Sequence, residues 1–366
     1  MDPVRTGVLG CGTISDAYFE ADDRFDGFDI VACADLDAER ARETADEYGL
    51  RASDPDELLA ADDVELIVNL TPPSVHRETC RDALRAGKHV YVEKPLAASF
   101  GDAEAILETA AAEGVLVGSA PDTVLGAGLQ TARSVIDDGR IGRPVGATAV
   151  WTSGGHESWH PSPDLYYRRG GGPLFDMGPY YVTALVSLLG PASRVTGSTA
   201  RTFERRTITS DPRHGETIDV EVPTHESGVI DFADGAVANV LTSFDAPGRS
   251  TFGSPAFEIY GTEGTLQLPD PNRFEGPVRI RSADETTTDI EPTHEYTAGR
   301  GAGVADLAAA VRGDWCHRTS GALAEHVLEI LDGIRAASDD GAHVSLETSV
   351  ERPDPLPPTF PESIGN

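Results

Sequence analysis

The sequence predicts two domains of different classes: an N-terminal α/β domain with a doubly wound parallel sheet, and a C-terminal α+β domain with a large, mainly antiparallel open sheet. Three observations support this prediction. The chain has 366 residues, more than the roughly 250 at which a single hydrophobic core stops growing. Residues 1–122 alternate short apolar runs with helical patterns, which is typical of βαβ units. Beyond them, apolar runs follow one another through Gly-containing turns such as Asp234-Gly235, which favours antiparallel strands.

The first domain is placed at residues 1–122 and is expected to alternate strands with helices. Its strand candidates are short apolar runs: Val4–Leu9, Ile30–Ala34, Leu66–Leu70, His89–Val92 and Val115–Gly118. The helical patterns between them have clear stops. The pattern from Val75 to Ala86 ends at Gly87, a residue type that commonly follows the last turn of a helix.

The second domain is placed at residues 123–352. It begins with a helical pattern from Leu125 to Asp138, and two further helices are predicted at Asp176–Leu189 and Leu323–Ala337. The predicted strands are Val145–Thr152, Val229–Phe232, Ala236–Thr242, Phe257–Tyr260 and Thr265–Leu268. The tail at residues 353–366 is rich in proline and is expected to be extended or disordered.

The net charge of the chain excludes two classes of binding partner. The 61 acidic and 29 basic side chains give a formal net charge of -32. This charge would repel nucleic acid and anionic membranes, so neither is expected as a partner. Concentrated salt screens such self-repulsion within a few ångströms, so we interpret the composition as halophilic adaptation. A GC-rich genome that favours arginine over lysine is a competing and compatible explanation.

The targeting and cysteine patterns predict a cytoplasmic protein without a structural metal. The sequence contains no long apolar run, so no transmembrane helix is expected, and its start lacks a basic segment followed by an apolar stretch, so no signal peptide is expected. Cys11, Cys33, Cys80 and Cys316 are scattered without CxxC spacing. Reduced thiols are therefore expected, and no zinc site.

A glycine-rich turn follows the first predicted strand. Its sequence is Gly10-Cys11-Gly12-Thr13-Ile14-Ser15. Glycines at such a turn let backbone amides approach a pyrophosphate at a helix N-terminus. The second strand ends at Asp35, where a carboxylate can accept hydrogen bonds from the adenosine ribose. This pattern predicts NAD, with NADP possible because Arg40 is near; Asp37 is interpreted as a helix N-cap.

Lysine occurs only twice, at Lys88 and Lys94, in a chain with 27 arginines. Lys94 lies in Glu93-Lys94-Pro95, directly after the predicted strand His89–Val92. Ligands of open α/β sheets bind at the carboxyl ends of the strands. Lys94 is therefore a catalytic candidate, because an ammonium can stabilise a reacting oxygen and can lose its proton, unlike a guanidinium. A solvated lysine at a strand end is the plain alternative.

A second candidate pair follows three glycines at positions 170–172. Pro179 is best tolerated in a first helical turn, so the helix is expected to begin near Asp176. Asp176 and Tyr180 then lie four residues apart on one face. Taken singly, Asp176 could be a helix cap and Tyr180 a core aromatic. Three successive glycines suggest that the backbone closely approaches another group.

The segment His156-Glu157-Ser158-Trp159-His160 matches the HExxH zinc motif, but glycines precede it and prolines follow it, so no sustained helix can carry it. We interpret it as a substrate loop, in which Trp159 stacks on a sugar ring while His156, Glu157 and His160 bind hydroxyls. A plain surface loop is the alternative. Arg168 and its neighbour Arg169 could bind an acidic substituent or pair with surface carboxylates.

Four motifs in order resemble the Gfo/Idh/MocA oxidoreductases. They are GVLGCGTIS at residues 7–15, NLTPPSVH at 69–76, Glu93-Lys94-Pro95, and GGGPLFDMGPYY at 170–181. The resemblance implies a Rossmann domain followed by an α+β domain whose open sheet forms an oligomer interface. It implies that Thr71, Pro72 and His76 line the cofactor cleft, that Glu93 orients the nicotinamide ribose, and that Lys94-Pro95 is a cis peptide.

Tyr180 occupies the position of a histidine in inositol dehydrogenases, so the chain is more similar to the glucose-fructose oxidoreductase and dihydrodiol dehydrogenase branch. The expected reaction is hydride transfer between NAD(P) and a carbohydrate, cyclic polyol or diol, by a dimer or tetramer. Tyr180 is the expected base, Lys94 would stabilise its phenolate, and Asp176 would hold a neighbouring hydroxyl. An NAD-dependent glycosidase and a non-catalytic sugar- or cofactor-sensing regulator are the alternatives.

Overall fold

The computed structural model describes residues 2–248, 256–294, 299–313 and 315–360. The chain forms two compact units. The first unit contains residues 1–126, 294–325 and 353–366, and the second contains residues 127–293 and 326–352. The sequence analysis placed one boundary at 122/123 and a separate tail at 353. In the structure, residues 294–325 and 353–366 also belong to the first unit.

Helices are distributed over both units. In chain order, the α-helices of the described residues are α1 (Ser15–Asp22), α2 (Ala38–Tyr48), α3 (Pro55–Ala60), α4 (His76–Arg85), α5 (Phe100–Glu113), α6 (Ala127–Asp137), α7 (Pro173–Leu189), α8 (Ala302–Arg312) and α9 (Gly321–Asp340).

The strands of the first unit are β1 (Val4–Leu9), β2 (Phe28–Ala34), β3 (Arg51–Ser53), β4 (Leu66–Asn69), β5 (His89–Val92) and β6 (Val117–Ser119). They form one parallel sheet in the order β3-β2-β1-β4-β5-β6. This confirms the predicted doubly wound Rossmann sheet. The direction of strand addition reverses at β1, so the carboxyl ends of β1 and β4 open the crevice where such sheets bind ligands.

Helix α8 explains why the first unit is discontinuous. It packs against β1, β2, β5 and β6, and its residues from Ala302 to Ala309 are buried. The amides of Gly301 and Gly303 donate to one carboxylate oxygen of Asp122. These contacts hold residues 299–313 on the parallel sheet, which the apolar pattern of α8 did not reveal.

The tail is extended and packed up to residue 360, where the described part ends. Leu356 and Phe360 are buried, and the Phe360 ring lies 6.1 Å from the Phe25 ring. Arg318 donates to the backbone oxygens of Asp354 and Pro355. Of the two expected conformations, the structure therefore has the extended one over these residues.

The second unit is built on a nine-stranded sheet, with a small two-stranded sheet beside it. Its strands are β7 (Pro144–Thr152), β8 (Ala192–Ala200), β9 (Arg205–Thr207), β10 (Thr217–Asp219), β11 (His225–Phe232), β12 (Val237–Ser243), β13 (Ala256–Gly261), β14 (Gly264–Gln267), β15 (Val278–Ser282), β16 (Thr287–Ile290) and β17 (Val344–Ser345). The large sheet has the order β16-β15-β14-β13-β7-β12-β11-β8-β17.

Pairing in the large sheet is antiparallel except between β7 and β12, which run parallel. This confirms the predicted large, mainly antiparallel sheet. Helix α7 packs on β7, β11 and β12, and most of its residues are buried. The polar side chains of α7 therefore extend from a buried helix whose position is fixed by packing against the sheet.

Among the described residues, none of the helices is long and apolar enough to cross a membrane. In the same ranges, no group of three or more His, Cys, Asp or Glu side chains is arranged to hold a metal ion. The thiols of Cys11, Cys33 and Cys80 are buried and that of Cys316 is exposed, and all four are free cysteines.

Candidate active site

The glycine-rich turn lies between β1 and α1. Gly10 has a φ of 103°, and a Cβ added there would lie 3.1 Å from the backbone of Leu70. A Cβ added at Gly12 would meet no atom within 4 Å. Gly10 is thus required by the backbone and its packing, whereas Gly12 leaves open space in front of the turn. Ser15 begins α1, and its hydroxyl donates to the carbonyl of Gly12 at 2.7 Å.

Asp35 follows β2 and is held by two backbone amides. Its Oδ2 accepts from the Cys11 amide and its Oδ1 from the Asp37 amide, both at 2.9 Å. The Arg40 guanidinium lies 3.6 Å from Asp35 and 3.7 Å from Asp37. Asp37 accepts from the amides of Glu39 and Arg40 and is the N-cap of α2, as predicted. The Asp35 carboxylate is therefore oriented before any ligand binds.

A cavity of about 650 Å³ opens in front of these residues. Five predicted cofactor residues line it: Gly10, Gly12, Asp35, Thr71 and Pro72. The charged residues that line the cavity are one arginine, Arg40, and five carboxylates: Asp35, Asp37, Asp56, Glu78 and Asp82.

The cavity fits the adenosine end of a dinucleotide. The Leu36 side chain, 95% exposed, and Val75 offer apolar surface for a base, and Asp35 offers an acceptor for a ribose hydroxyl. Thr13 and Ile14 are exposed in the turn and do not line this cavity.

His76 does not line the cavity. It is fully buried at the start of α4, with Nε2 2.6 Å from the carbonyl of Thr71 and Nδ1 2.9 Å from that of Pro95. Burial lowers the pKa of His76, so the ring is neutral near pH 7 and donates through one nitrogen. The predicted role is corrected to one of support, because the ring holds two backbone segments of the site together.

Asn69 is a supporting residue that the sequence analysis did not single out. It ends β4 and is fully buried, and its Oδ1 accepts from the amide and the hydroxyl of Thr71. Its Nδ2 donates to the Thr79 hydroxyl at 2.7 Å. A buried polar residue at the carboxyl end of a strand was the available signal.

Glu93 and Lys94 follow β5, and the Lys94-Pro95 peptide is cis, as the resemblance implied. Glu93 is 9% exposed, and its Oε2 accepts from the Lys94 amide at 2.9 Å. Its Oε1 accepts from the Tyr18 hydroxyl at 2.8 Å and from Arg300 at 3.0 Å. The half-buried Lys94 side chain therefore extends from a backbone that a buried carboxylate fixes.

In the second unit, Asp176 lies in the first turn of α7 and Tyr180 one turn later. The helix begins at Pro173 with Gly172 as its N-cap, so Pro179 lies inside the helix. The expectation that Pro179 marks the first turn was wrong, because the buried surroundings of α7 stabilise it despite the missing N–H. Tyr180 is 5% exposed.

Two of the three glycines, Gly171 and Gly172, contact a buried ion pair. A Cβ at Gly172, where φ is 94°, would lie 2.6 Å from the Arg335 guanidinium. Arg335 donates to the carbonyl of Gly171 and to Glu226, whose side chain is fully buried. The close approach inferred from the glycines is therefore satisfied within the protein.

His156 contacts Asp176 directly: its Nε2 lies 2.9 Å from the Asp176 Oδ2, and both side chains are about nine-tenths buried. Aromatic rings surround the imidazole, with Tyr166 at 3.9 Å and Phe244 at 4.7 Å between centroids. His156 was predicted to bind substrate hydroxyls, and the structure gives it a carboxylate of the same site as partner.

The rest of the loop divides into a buried anchor and an exposed edge. Glu157 bonds Tyr167 and Arg206, so it holds the loop, and its predicted contact with hydroxyls is corrected. Trp159 is 60% exposed and lies edge-on to His156 and His160.

His160 Nδ1 accepts from the Ser162 amide at 3.0 Å. The Arg168 side chain is 63% exposed and lies 3.8 Å from Asp164. The structure thus groups His156, Trp159, His160 and Asp176 within the second unit, whereas Lys94 belongs to the first.

Two family models match the chain. The model described as oxidoreductase family, NAD-binding Rossmann fold (GFO_IDH_MocA) matches residues 4–120, and the GFO/IDH/MocA C-terminal domain matches residues 129–267. The chain is 29% identical over 303 residues to 1,5-anhydro-D-fructose reductase of Ensifer adhaerens, covering 80% of this chain and 84% of the relative.

It is also 27% identical over 335 residues to D-xylose 1-dehydrogenase (NADP(+)) 2 of Haloferax volcanii, covering 87% of this chain and 92% of the relative. The crystal structure of an NAD binding oxidoreductase from Klebsiella pneumoniae has a TM-score of 0.82, with 24% identity over 95% of this chain and 100% of that one. This last likeness concerns the fold.

Proposed function

Because the chain belongs to the Gfo/Idh/MocA family of oxidoreductases, we propose that it is a dehydrogenase that transfers hydride between NAD and a CH–OH group of a sugar, sugar derivative or cyclic polyol. The observation that carries the proposal is the Asp35 carboxylate, oriented by two amides on the wall of an adenosine-sized cavity. The names of two relatives, a sugar reductase and a sugar dehydrogenase, support a carbohydrate substrate.

NAD is preferred over NADP in this proposal. A 2′-phosphate on the ribose would bring about two negative charges close to Asp35, in a cavity with four further carboxylates. Arg40 offers one opposite charge, which is shared with Asp35 and Asp37. NADP is therefore a weaker second cofactor of the same site.

Three side chains carry the proposed chemistry. When bound, the nicotinamide supplies the hydride acceptor. Tyr180 takes the hydroxyl proton of the substrate, and the Lys94 ammonium stabilises the resulting phenolate. Asp176 holds a neighbouring hydroxyl and so selects the carbon that loses hydride. The hydrogen bond with His156 fixes the orientation of Asp176, since both groups are nearly buried.

Substrate recognition is assigned to the exposed edge of the loop. Trp159 offers an apolar ring face to a sugar, and His160 lies beside it. Arg168 would contact an acidic substituent where the substrate has one. The open sheet of the second unit, with Val145 and Val237 each about two-fifths exposed on adjacent strands, is proposed as the surface that forms a homodimer or tetramer.

The test is a substrate screen in molar KCl, with NAD and NADP in parallel and aldoses, cyclic polyols and glycosides as substrates. Absorbance of the reduced cofactor should appear with at least one sugar or polyol. The variants Lys94→Ala and Tyr180→Phe should lower kcat at least ~100-fold with the thermal melt unchanged, whereas Arg140→Ala, at an exposed residue after α6, serves as the control.

Each alternative has its own outcome. Release of free sugar from a glycoside without net NADH would replace the proposal with a glycosidase. Binding of NADH and sugar without turnover would replace it with a sensor. Near-normal kcat in Lys94→Ala or Tyr180→Phe would contradict the assigned roles.

A further inference from the structure

A buried cluster behind Lys94 joins three distant parts of the first unit. Tyr18 comes from α1, the helix that begins after the glycine-rich turn, and is 1% exposed. Glu93 comes from the end of β5, and Arg300 comes from the segment before α8. Tyr18 and Arg300 both donate to the same oxygen of Glu93, and the side chains of the ion pair are only 15% and 12% exposed.

Contacts of Gly301 and Gly303 fix the segment directly after Arg300. The amides of Gly301 and Gly303 donate to the fully buried Asp122 at 2.9 and 3.2 Å. A Cβ added at Gly301 would lie 2.4 Å from the Ala21 side chain of α1. Arg300 is therefore held on Glu93 by its own backbone and does not reach it as a flexible surface side chain.

The charge of Glu93 depends on this arrangement. Burial alone would raise the pKa of Glu93, but the opposite charges of Arg300 and Lys94 and the hydrogen bond from Tyr18 bring its pKa below the usual value. The described hydrogen bonds use three of about four acceptor positions of the carboxylate. One position therefore remains for a hydroxyl donor from a ligand.

We propose that Arg300 is a positioning residue for the nicotinamide half of the cofactor site, because it keeps Glu93 ionised and aligned so that Glu93 can accept a ribose hydroxyl beside Lys94. The inference rests on the proposed function, since it assumes that Glu93 faces the cofactor. It extends the site to a residue more than 200 positions later in the chain. Tyr18 links the same carboxylate to the helix of the glycine-rich turn.

The test measures NADH binding directly, by fluorescence, in molar KCl at several pH values between about 6 and 9. In Arg300→Ala, the buried Glu93 loses its cation and its pKa rises, so it becomes protonated as the pH falls. NADH binding should then weaken about 10- to 100-fold at the acidic end, as for loss of a charge-assisted hydrogen bond. It should recover towards the alkaline end. Arg300→Lys, which keeps the charge, should restore most of the affinity at the acidic end.

Other titratable groups near Glu93 need a control. Tyr18, Tyr91, His76, Lys94 and Asp122 also lie near Glu93. All of them are present in both Arg300→Ala and Arg300→Lys, so a difference between these variants reports on the Arg300 charge. Glu93→Gln should bind NADH weakly at all pH values, and adding Arg300→Ala to it should not introduce a pH dependence.

Two results would overturn the inference. One is a loss of affinity in Arg300→Ala that is independent of pH and is not restored by Arg300→Lys, which would indicate a purely structural role. The other is unchanged NADH binding in Arg300→Ala at every pH. If the wild-type chain itself fails to bind NADH, the proposed function fails first. If Arg300→Ala does not fold, Arg300→Gln removes the same charge and provides the same comparison with Arg300→Lys.

Discussion

Replacing Asp35 by serine should change the cofactor preference. The carboxylate is held toward the cavity by the Cys11 amide, so a ribose 2′-hydroxyl can donate to it and a 2′-phosphate is repelled by it. Two unit charges 4 Å apart interact by about 4 kcal/mol at an effective dielectric constant of 20. Salt and water reduce this value, and we expect about 2 to 3 kcal/mol, or about 30- to 150-fold, in the ratio of kcat/KM for NADP to that for NAD.

Arg40 determines the direction of the change. In the wild-type protein its guanidinium is shared between Asp35 and Asp37, at 3.6 and 3.7 Å. In Asp35→Ser, Arg40 keeps Asp37 as a partner and can also pair with a phosphate. The kcat/KM for NADP should therefore rise, while the kcat/KM for NAD falls. Adding Arg40→Ala to Asp35→Ser should remove most of the gain for NADP.

Asp37→Ser is the matched control. Asp37 also contacts Arg40, but its carboxylate caps α2, and serine is an equally good N-cap. It should change the cofactor ratio much less than Asp35→Ser. Steady-state rates with both cofactors in molar KCl provide the measurement, and a thermal melt reports whether loss of the Cys11 bond disturbs the turn. A ratio that stays within about threefold of wild type in Asp35→Ser would refute this account of selectivity.

Three further predictions concern the stability of the fold. Arg206→Met should lower the free energy of unfolding by about 3–5 kcal/mol, because the buried Glu157 and Asp245 lose their shared cation. Burial would raise the pKa of Asp245, whereas hydrogen bonds and Arg206 bring it below the usual value. Without the arginine this pKa should rise, so the loss of unfolding free energy measured with urea should be smaller in acid, where Asp245 is protonated, than near neutral pH. Gly172→Ala should cost about 2 kcal/mol or more in the same assay because of its φ of 94° and its contacts, while Gly101→Ala, which has space in α5, should not destabilise. The melting temperature should rise as KCl is increased from 0.1 to 3 M, as expected for a net charge of -32, and a flat or falling curve would contradict the salt-adapted interpretation.

The elements that the sequence predicted are those whose environment is simple. Strands β4 and β5 are almost entirely buried and appear as short, mainly apolar runs. By contrast, β8 and β16 are largely polar, and β16 lies at the edge of the sheet, so neither has a strong strand signal. Apolar periodicity indicates an element that is buried on one face. It predicts an element poorly where a strand is half exposed or where a helix such as α8 is covered on all sides.

The candidate site was predictable to the same extent. Gly10, Asp35 and Lys94 follow strands of the parallel sheet, and sequence position alone places them at its carboxyl edge. The supporting groups Tyr18 and Arg300 have no such signal, because their contacts with Glu93 span 75 and 207 residues of the chain. The same holds for Arg206 and Arg335, which appear in sequence as ordinary surface arginines but hold the loop and the glycine turn.

The two lysines show what a rare residue can and cannot indicate. The rarity of lysine drew attention to Lys94, but Lys88 is equally rare, and the structure gives it a clear structural role. Its ammonium is nearly buried and donates to the carbonyls of Ala61 and Val64 at 2.7 and 2.8 Å. The rarity of lysine therefore does not separate a structural lysine from a catalytic one. The position of Lys94 beside Glu93, at the ligand-binding edge of the sheet, is what supports a role in catalysis.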